Sequence, residues 1–182
     1  GGDRSMIIDI IESKMVFPVE KENTFLIEKS KSVSKKRGLK SVEFVELKNF
    51  AKNPSLRFVE AKTSNPNFTN NDNDNKEKLD EYIHDIREKF QNSVSILFSS
   101  LSKRKGLDDV FNELPTGIQS VNYKNVECGL WLVVKDSEPE WLIPVLASLK
   151  KELKPMLKCW NIPDSNVKVI NEDDARNLTI IK

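Results

Sequence analysis

The sequence has few of the residues that build common cofactor sites. It contains two cysteines, one histidine and six glycines in 182 residues. One histidine and two cysteines cannot supply a Cys/His zinc cage alone. A glycine-rich phosphate loop, a GxSxG elbow and an HExxH motif are also absent, so nothing indicates the enzymes that these motifs define. Cys128 and Cys159 are expected to be buried free thiols in a reducing compartment.

Long apolar runs and a strong net charge are missing as well. No stretch approaches the ~18 apolar residues of a membrane span, and the N-terminus lacks the layout of a secretory signal. We therefore expect no membrane association and a cytoplasmic location. The net charge is only +1, so a nucleic-acid surface would have to arise from local clustering.

The composition predicts one soluble globular domain. Hydrophobic residues make up 38% of the chain and charged residues 31%, and the length suits a single domain of ordinary size. We expect that domain to span residues 6–182. Residues 1–5, which begin with Gly-Gly, are expected to be a tag remnant or a disordered N-terminus.

The most informative stretch is residues 41–64, SVEFVELKNFAKNPSLRFVEAKTS. Two runs rich in Val, Phe and Leu, residues 40–47 and 56–63, flank a polar segment with Asn53 and Pro54. This pattern predicts two strands joined by a turn.

The second predicted strand has an unusual face. Side chains alternate along a strand, so Leu56, Phe58, Glu60 and Lys62 share one side. An apolar layer would thus open, at the end of the strand, onto a carboxylate and an ammonium. The alternative is a solvated charge pair worth roughly 0.2–1 kcal/mol. Against it, both charges follow a run that looks buried, where an unpaired charge is costly. Glu43 lies on the partner strand.

An acid on one strand, followed by Glu-x-Lys at the end of the next, resembles the signature of the PD-(D/E)xK, or restriction-endonuclease-like, nuclease superfamily. The matching residues are Glu43, Glu60 and Lys62. The phrases FLIEKS, SVEF and FVEAKTSNP carry the resemblance, which covers residues 25–101. The superfamily usually has Asp at the first position, often after Pro. This chain has Val42-Glu43, whose side chain is one methylene longer.

The resemblance implies a site for Mg²⁺ (or Mn²⁺). Its ligands would be the carboxylates of Glu43 and Glu60 and the backbone carbonyl of Ala61, with Glu28 as a further candidate. A bound metal lowers the pKa of its water and holds a phosphate oxygen. Lys62 would position or polarise the attacking water, so the implied catalytic residues are Glu43, Glu60 and Lys62.

The implied function is metal-dependent hydrolysis of phosphodiester bonds, with DNA as the expected substrate. A protein partner for targeting is compatible with this reading. The alternative is a catalytically inactive module of the same fold that binds nucleic acid or protein.

A basic segment precedes the first of the two strands. Residues 29–40 contain six basic residues and no acid. Lys35, Lys36, Arg37 and Lys40 are therefore candidates for contacts with backbone phosphates. A solvated loop is the alternative, because charge runs usually are solvated.

The remaining pattern predicts an alternation of strands and helices. We expect strands at 24–28, 125–135 and 167–170, helices at 76–103 and from Glu138 to about Trp160, and a mobile loop at 65–75. The second helix should begin at a capping box formed by Ser137 and Glu140. Together these elements predict an α/β fold, a mixed central sheet flanked by helices on both faces around a restriction-endonuclease-like core.

Overall fold

The computed structural model describes residues 5–50, 53–66 and 73–182, and the side chains of all of these except 49, 50 and 73. A hairpin opens this part of the chain, and a five-stranded sheet with six α-helices follows. The strands are β1 (Ile7–Glu12), β2 (Met15–Glu20), β3 (Thr24–Phe25), β4 (Phe44–Phe50), β5 (Asn53–Ser64), β6 (Glu127–Asp136) and β7 (Val167–Asn171). The helices are α1 (Lys31–Ser34), α2 (Asn73–Leu101), α3 (Asp108–Glu113), α4 (Thr116–Gln119), α5 (Pro139–Cys159) and α6 (Glu172–Asn177).

The sheet is mixed, as the sequence predicted for this α/β fold. Its strand order is β3-β4-β5-β6-β7. The first three strands pair antiparallel, and β5, β6 and β7 pair parallel. The apolar run in β6 has a neighbouring strand on each side, and its residues from Cys128 to Val134 are buried apart from Trp131. That double coverage explains why the run lacks an alternating pattern.

The two faces of the sheet are covered differently. Leu56, Phe58 and Leu132 belong to the larger core, together with apolar residues of α2 and α5. Val59 and Val133 belong to a second core, formed with the β1–β2 hairpin and α6. Both long helices thus lie on one face. The other face carries a hairpin and one short helix.

The N-terminal hairpin follows from alternating side chains in Met15-Val-Phe-Pro-Val. Met15, Phe17 and Val19 are buried, and the residues between them are only partly so. Pro18 lies inside β2, opposite Asp9 of β1. Proline is compatible with this strand because, among the described strands, β2 pairs with β1 alone, so no strand on its outer edge requires an N–H donor.

The central pair of strands is shifted along the chain from its predicted position. The first strand, expected at 40–47 with Glu43 on it, begins only at Phe44, so Glu43 precedes it. Asn53 and Pro54, expected in the turn, are the first residues of β5 and pair with β4.

Two further local predictions are wrong. The strand expected at 24–28 stops after Phe25, and Glu28 lies in a 3₁₀ helix, Ile27–Lys29. This turn leads into α1, where the Ser30 side chain accepts a hydrogen bond from the Val33 N–H. The capping box is also absent, because the Ser137 hydroxyl donates to the Glu138 carbonyl instead.

The cysteine expectation holds for one residue of two. Cys128 is buried, whereas Cys159 is exposed at the last turn of α5, and both are free. Burial raises the pKa of the Cys128 thiol to about 12. Of the mobile loop predicted at 65–75, residues 67–72 lie outside the described residues, and the prediction is wrong for residues 73–75, which begin α2. Among the described helices, none combines the length and apolarity needed to span a membrane.

Candidate functional site

Glu60 is the most deeply buried acid at the predicted site. It lies on β5, the central strand, opposite Leu132 of β6, and its exposed fraction is 0%. Its side chain faces α2, where the Lys89 ammonium lies 3.0 Å from Oε2. The other oxygen, Oε1, is also buried and has no hydrogen-bond partner among the described residues.

Glu43 lies beside Glu60. It directly precedes β4, and its N–H donates to the Val59 carbonyl of β5. Its Oε2 atom is buried and has no hydrogen-bond partner within the described chain. Burial first, and then the neighbouring Glu28 and Glu60 carboxyls, raise the pKa of Glu43 far above its usual range.

Burial raises the pKa of Glu60 as well. The Lys89 ammonium and contact with Glu43 oppose this shift without cancelling it. Two adjoining acids with raised pKa values cannot both ionise cheaply. The pair therefore favours either a bound proton or a bound cation.

Glu43 also belongs to an outer group of acids. One carboxylate oxygen each from Glu12, Glu28 and Glu43 lies within 4.8 Å of the others. Glu12 ends β1, and Glu28 lies in the 3₁₀ helix after β3. The only cation that contacts this group among the described residues is Lys29, 3.2 Å from Oε1 of Glu12. The sequence prediction included Glu28 and missed Glu12.

Lys62 shares the face of Glu60 but pairs elsewhere. Its ammonium lies 3.2 Å from Oδ2 of Asp85 on α2, and its side chain is 27% exposed. The second oxygen of Asp85 lies 2.9 Å from the Lys40 ammonium. Within the described residues, Glu60 and Lys62 therefore do not form an ion pair with each other.

Helix α2 supplies a polar stripe next to its apolar one. Tyr82, Asp85, Lys89 and Ser93 recur at three and four residues, so they lie on one helix face. The Ser93 hydroxyl accepts from the Val42 N–H at 2.9 Å, which fixes the start of β4 beside Glu43. The Tyr82 hydroxyl donates to the Ser64 carbonyl at 3.3 Å, at the end of β5.

Electrostatic pairing keeps two residues of this stripe, Asp85 and Lys89, charged. Burial would lower the pKa of Lys89, but the Glu60 carboxylate outweighs it and raises that pKa. Burial would raise the pKa of Asp85, but hydrogen bonds from Lys40 and Lys62 lower it. For Tyr82, burial first and then Glu60 and Asp85 raise the pKa.

The Ala61 carbonyl, a predicted ligand, lies between the two charged positions. The Val59 carbonyl accepts from Glu43, and carbonyls two residues apart in a strand point to the same side. The Ala61 carbonyl therefore points past the end of the β4–β5 ladder, which stops at Phe44 and Val59. The Ala61 side chain is buried in the second core.

The candidate phosphate-binding residues of the basic segment fall into two groups, one ion-paired and one exposed to solvent. The Lys40 ammonium forms ion pairs with two acids of α2, Asp85 at 2.9 Å and Glu88 at 3.7 Å. Lys35, Lys36 and Arg37 follow α1 and are exposed or half-exposed. The sequence could not distinguish Lys40 from the other three, because its acidic partners lie 45 and 48 residues away.

The sequence prediction missed three members of the site. Glu12 lies in an N-terminal segment whose apolar pattern fits a short helix or a strand equally, and Asp85 and Lys89 lie on a helix whose stronger signal is its apolar stripe. The polar residues of α2 recur at the same spacing of three and four residues, so the sequence does contain a signal for both. No protein-family model, no curated protein and no solved structure matches this chain.

Proposed function

We propose that this protein is a metal-dependent nuclease of the PD-(D/E)xK superfamily that hydrolyses phosphodiester bonds of DNA. The observation that supports this most is the pair of adjoining carboxyls, Glu43 and Glu60. Both carry buried oxygens without a hydrogen-bond partner in the described chain. Two ionised carboxylates would be costly to bury side by side, and a divalent cation would satisfy both, as a shared proton would in the alternative below.

The fold is compatible with that assignment. In a restriction-endonuclease-like core, the acid would precede or lie on one strand and the Glu-x-Lys pair would follow on the next. Here Glu43 precedes β4, and Glu60 and Lys62 lie on β5, antiparallel to it. A buried parallel strand and a long helix complete the arrangement.

The donor set suits Mg²⁺ or Mn²⁺. Glu43, Glu60 and the Ala61 carbonyl offer only oxygen atoms, which these hard cations prefer. Glu28 and Glu12 extend the set from the solvent side through Glu43. The ion would supply Lewis-acid activation of a water and of a phosphate oxygen.

The side chains around this set have separable roles. Lys89 favours the ionised form of Glu60 through the 3.0 Å contact and so opposes the effect of burial on its pKa. Lys62 would donate to the attacking water or to the charge that develops on the phosphate, since an ammonium carries three donors and Asp85 occupies only one. Asp85 restricts the position of Lys62 from α2.

A specific observation favours a second candidate, a catalytically inactive module of the same fold. Both charged residues of the Glu-x-Lys pair already have partners on α2, Lys89 for Glu60 and Asp85 for Lys62. In that case the acids would form a structural network, and the surface would serve nucleic-acid or protein binding alone.

Metal titration separates the two candidates. Mn²⁺ affinity by calorimetry, the thermal midpoint and the nicking rate on plasmid and single-stranded DNA are measured for wild type, Glu60→Gln and Lys62→Ala. For a nuclease, Glu60→Gln loses most Mn²⁺ binding, because an amide is a weaker ligand for a hard cation. Lys62→Ala keeps Mn²⁺ and lowers the nicking rate by about 10²–10³-fold, the cost of removing one transition-state donor.

The matched control is Lys48→Ala, which removes a lysine from Glu46 on the opposite face of the sheet. It should change neither Mn²⁺ affinity nor nicking. Wild-type protein that binds no Mn²⁺ at millimolar concentration ends the nuclease proposal and leaves the inactive module.

A further inference from the structure

Two adjoining cavities form a groove around the C-terminal end of α5. The larger, about 950 Å³, lies between the last turns of α2 and the segment that leads into β6. The smaller, about 520 Å³, lies along the lysines of α5. Both are lined by Asn161, Ile162 and Pro163, so they meet at that segment. We call this continuous surface the α5 groove.

The larger part of the α5 groove contains an aromatic surface. Trp160 is 41% exposed, although it is one of the largest apolar side chains. Its ring stacks on Phe98 of α2, with ring centroids 5.0 Å apart and planes at 23°. Phe98 is itself buried, so it fixes the tryptophan ring from behind. Tyr123 lines the same cavity.

The smaller part is basic. Lys150, Lys154 and Lys158 are spaced by four residues and share one face of α5, and Lys151 adjoins them. Among the described residues, none of these four lysines has an ion-pair partner, whereas Lys40, Lys62 and Lys89 all do. Two acids line the groove, Glu127 and Asp164, against these four lysines and Lys124, so the groove keeps a positive excess in a chain of net charge +1.

Lysines without ion-pair partners beside a fixed, exposed aromatic ring are complementary to a ligand that carries both negative charges and flat apolar groups. Single-stranded nucleic acid offers phosphates to lysines and unstacked bases to aromatic faces, and this combination is typical of its binding sites. A duplex offers phosphates alone, because its bases are already stacked. An acidic peptide would use the lysines and leave Trp160 without a role.

We propose that the α5 groove binds single-stranded DNA, with phosphates on the α5 lysines and a base stacked on Trp160. The inference deepens the proposed nuclease function by naming the form of its substrate. Cys128, which lines the groove, pairs with Leu56, four residues before Glu60. At ~3.3 Å per residue that is about 13 Å along β5. The groove thus holds DNA at the opposite end of the strand from the acids.

The test measures binding of a fluorescent oligothymidylate 20-mer in EDTA, so that neither metal nor cleavage contributes. Lys150→Glu with Lys154→Glu should weaken binding at least tenfold and reduce the salt slope by about 1.4, since each phosphate contact contributes ~0.7 for single strands. Trp160→Ala should weaken binding by about tenfold with an unchanged salt slope, and Trp160→Phe should retain it.

A charge-matched control is Lys14→Glu with Lys21→Glu, which alters two exposed lysines at the N-terminal hairpin. Far-ultraviolet circular dichroism and the thermal midpoint confirm that each variant is folded.

Three results would overturn the inference. The control could weaken oligothymidylate binding as much as the α5 variant does, Trp160→Ala could leave binding unchanged in folded protein, or the protein could bind duplex DNA more tightly than single strands. If oligothymidylate does not bind but Mn²⁺-dependent nicking persists, DNA binding by the α5 groove is rejected and the proposed nuclease activity is retained. If oligothymidylate binds the groove but the protein has no affinity for Mn²⁺, the nuclease proposal is rejected and the binding site is retained.

Discussion

Two glutamates are buried in the same sheet on opposite faces, and their surroundings differ. Glu46 lies on β4 and has a cation at each oxygen, Arg57 at 3.3 Å and Lys48 at 3.4 Å. Arg57 in turn stacks over the Trp131 ring at 4.3 Å. Glu60 lies on β5 with one cation, Lys89, and its Oε1 has no partner in the described chain.

The difference distinguishes a structural acid from a candidate functional one. Charge at Glu46 is matched from within the protein, which is what a buried ion normally requires. At Glu60 a second acid, Glu43, occupies the place where a second cation would be expected. This excess of negative charge would be relieved by a proton or by a divalent cation, and it is the feature that the Glu46 region lacks.

The largest expected effect concerns the single cation of Glu60. Lys89→Ala should lower the free energy of unfolding by about 3–5 kcal/mol at pH 7, because it leaves a buried carboxylate without compensation. Lys48→Ala removes one of two cations from Glu46 and should cost about 1 kcal/mol or less, since Arg57 remains. Urea denaturation of both variants measures the comparison.

The same experiment at pH 4 tests the cause. Protonation of Glu60 removes the buried charge, so the loss of unfolding free energy caused by Lys89→Ala should be smaller at pH 4 than at pH 7. A loss that is equal at both pH values, or below that of Lys48→Ala, would show that Lys89 does not compensate Glu60.

The next effect concerns Glu43, whose pKa is raised in the folded state. Above pH 4.5 the unfolded chain releases this proton while the folded chain keeps it, so wild-type stability falls as pH rises. Glu43→Gln removes that dependence. In EDTA its stability relative to wild type should increase from pH 5 to pH 8, by up to about 1.4 kcal/mol per pH unit.

Glu46→Gln is the matched control and should be less stable than wild type, because it leaves Arg57 without its carboxylate. If the proposed site binds Mn²⁺, the ion should reverse the order of stability of wild type and Glu43→Gln, since only wild type would gain stability from it. A stability difference between wild type and Glu43→Gln that does not change with pH would contradict the raised pKa.

The sequence predicted the parts of the fold that depend on local periodicity. The strands β5, β6 and β7 and the helices α2 and α5 were expected within a few residues of their bounds, because each has a clear apolar pattern. Alternation also placed Glu60 and Lys62 on one face. Glu43 could be proposed as their neighbour because a hairpin brings its two strands together.

Other features depend on contacts that periodicity does not encode. Glu12 reaches the acid group through the N-terminal hairpin, and Lys89 reaches Glu60 across 29 residues. Glu28 was assigned to a strand because TFLIE is apolar and β-prone, but the Ser30 cap starts a helix immediately after it. The capping box failed because Ser137 bonds to the adjacent carbonyl instead.

The smallest expected effect concerns Asp85, which links Lys62 to Lys40 at the rim of the site. Both contacts are partly exposed, so Asp85→Asn should lower the free energy of unfolding by about 0–1 kcal/mol. The folded-state pKa of Asp85 is lowered, so this contribution is present above its ordinary pKa of 3.8 and is lost as pH falls further. Urea denaturation at pH 7 and pH 3, with and without 1 M NaCl, measures it, and salt should reduce it at pH 7. A loss above about 2 kcal/mol that persists in salt would place Asp85 with Glu46 as a structural acid and weaken the contrast between the two faces.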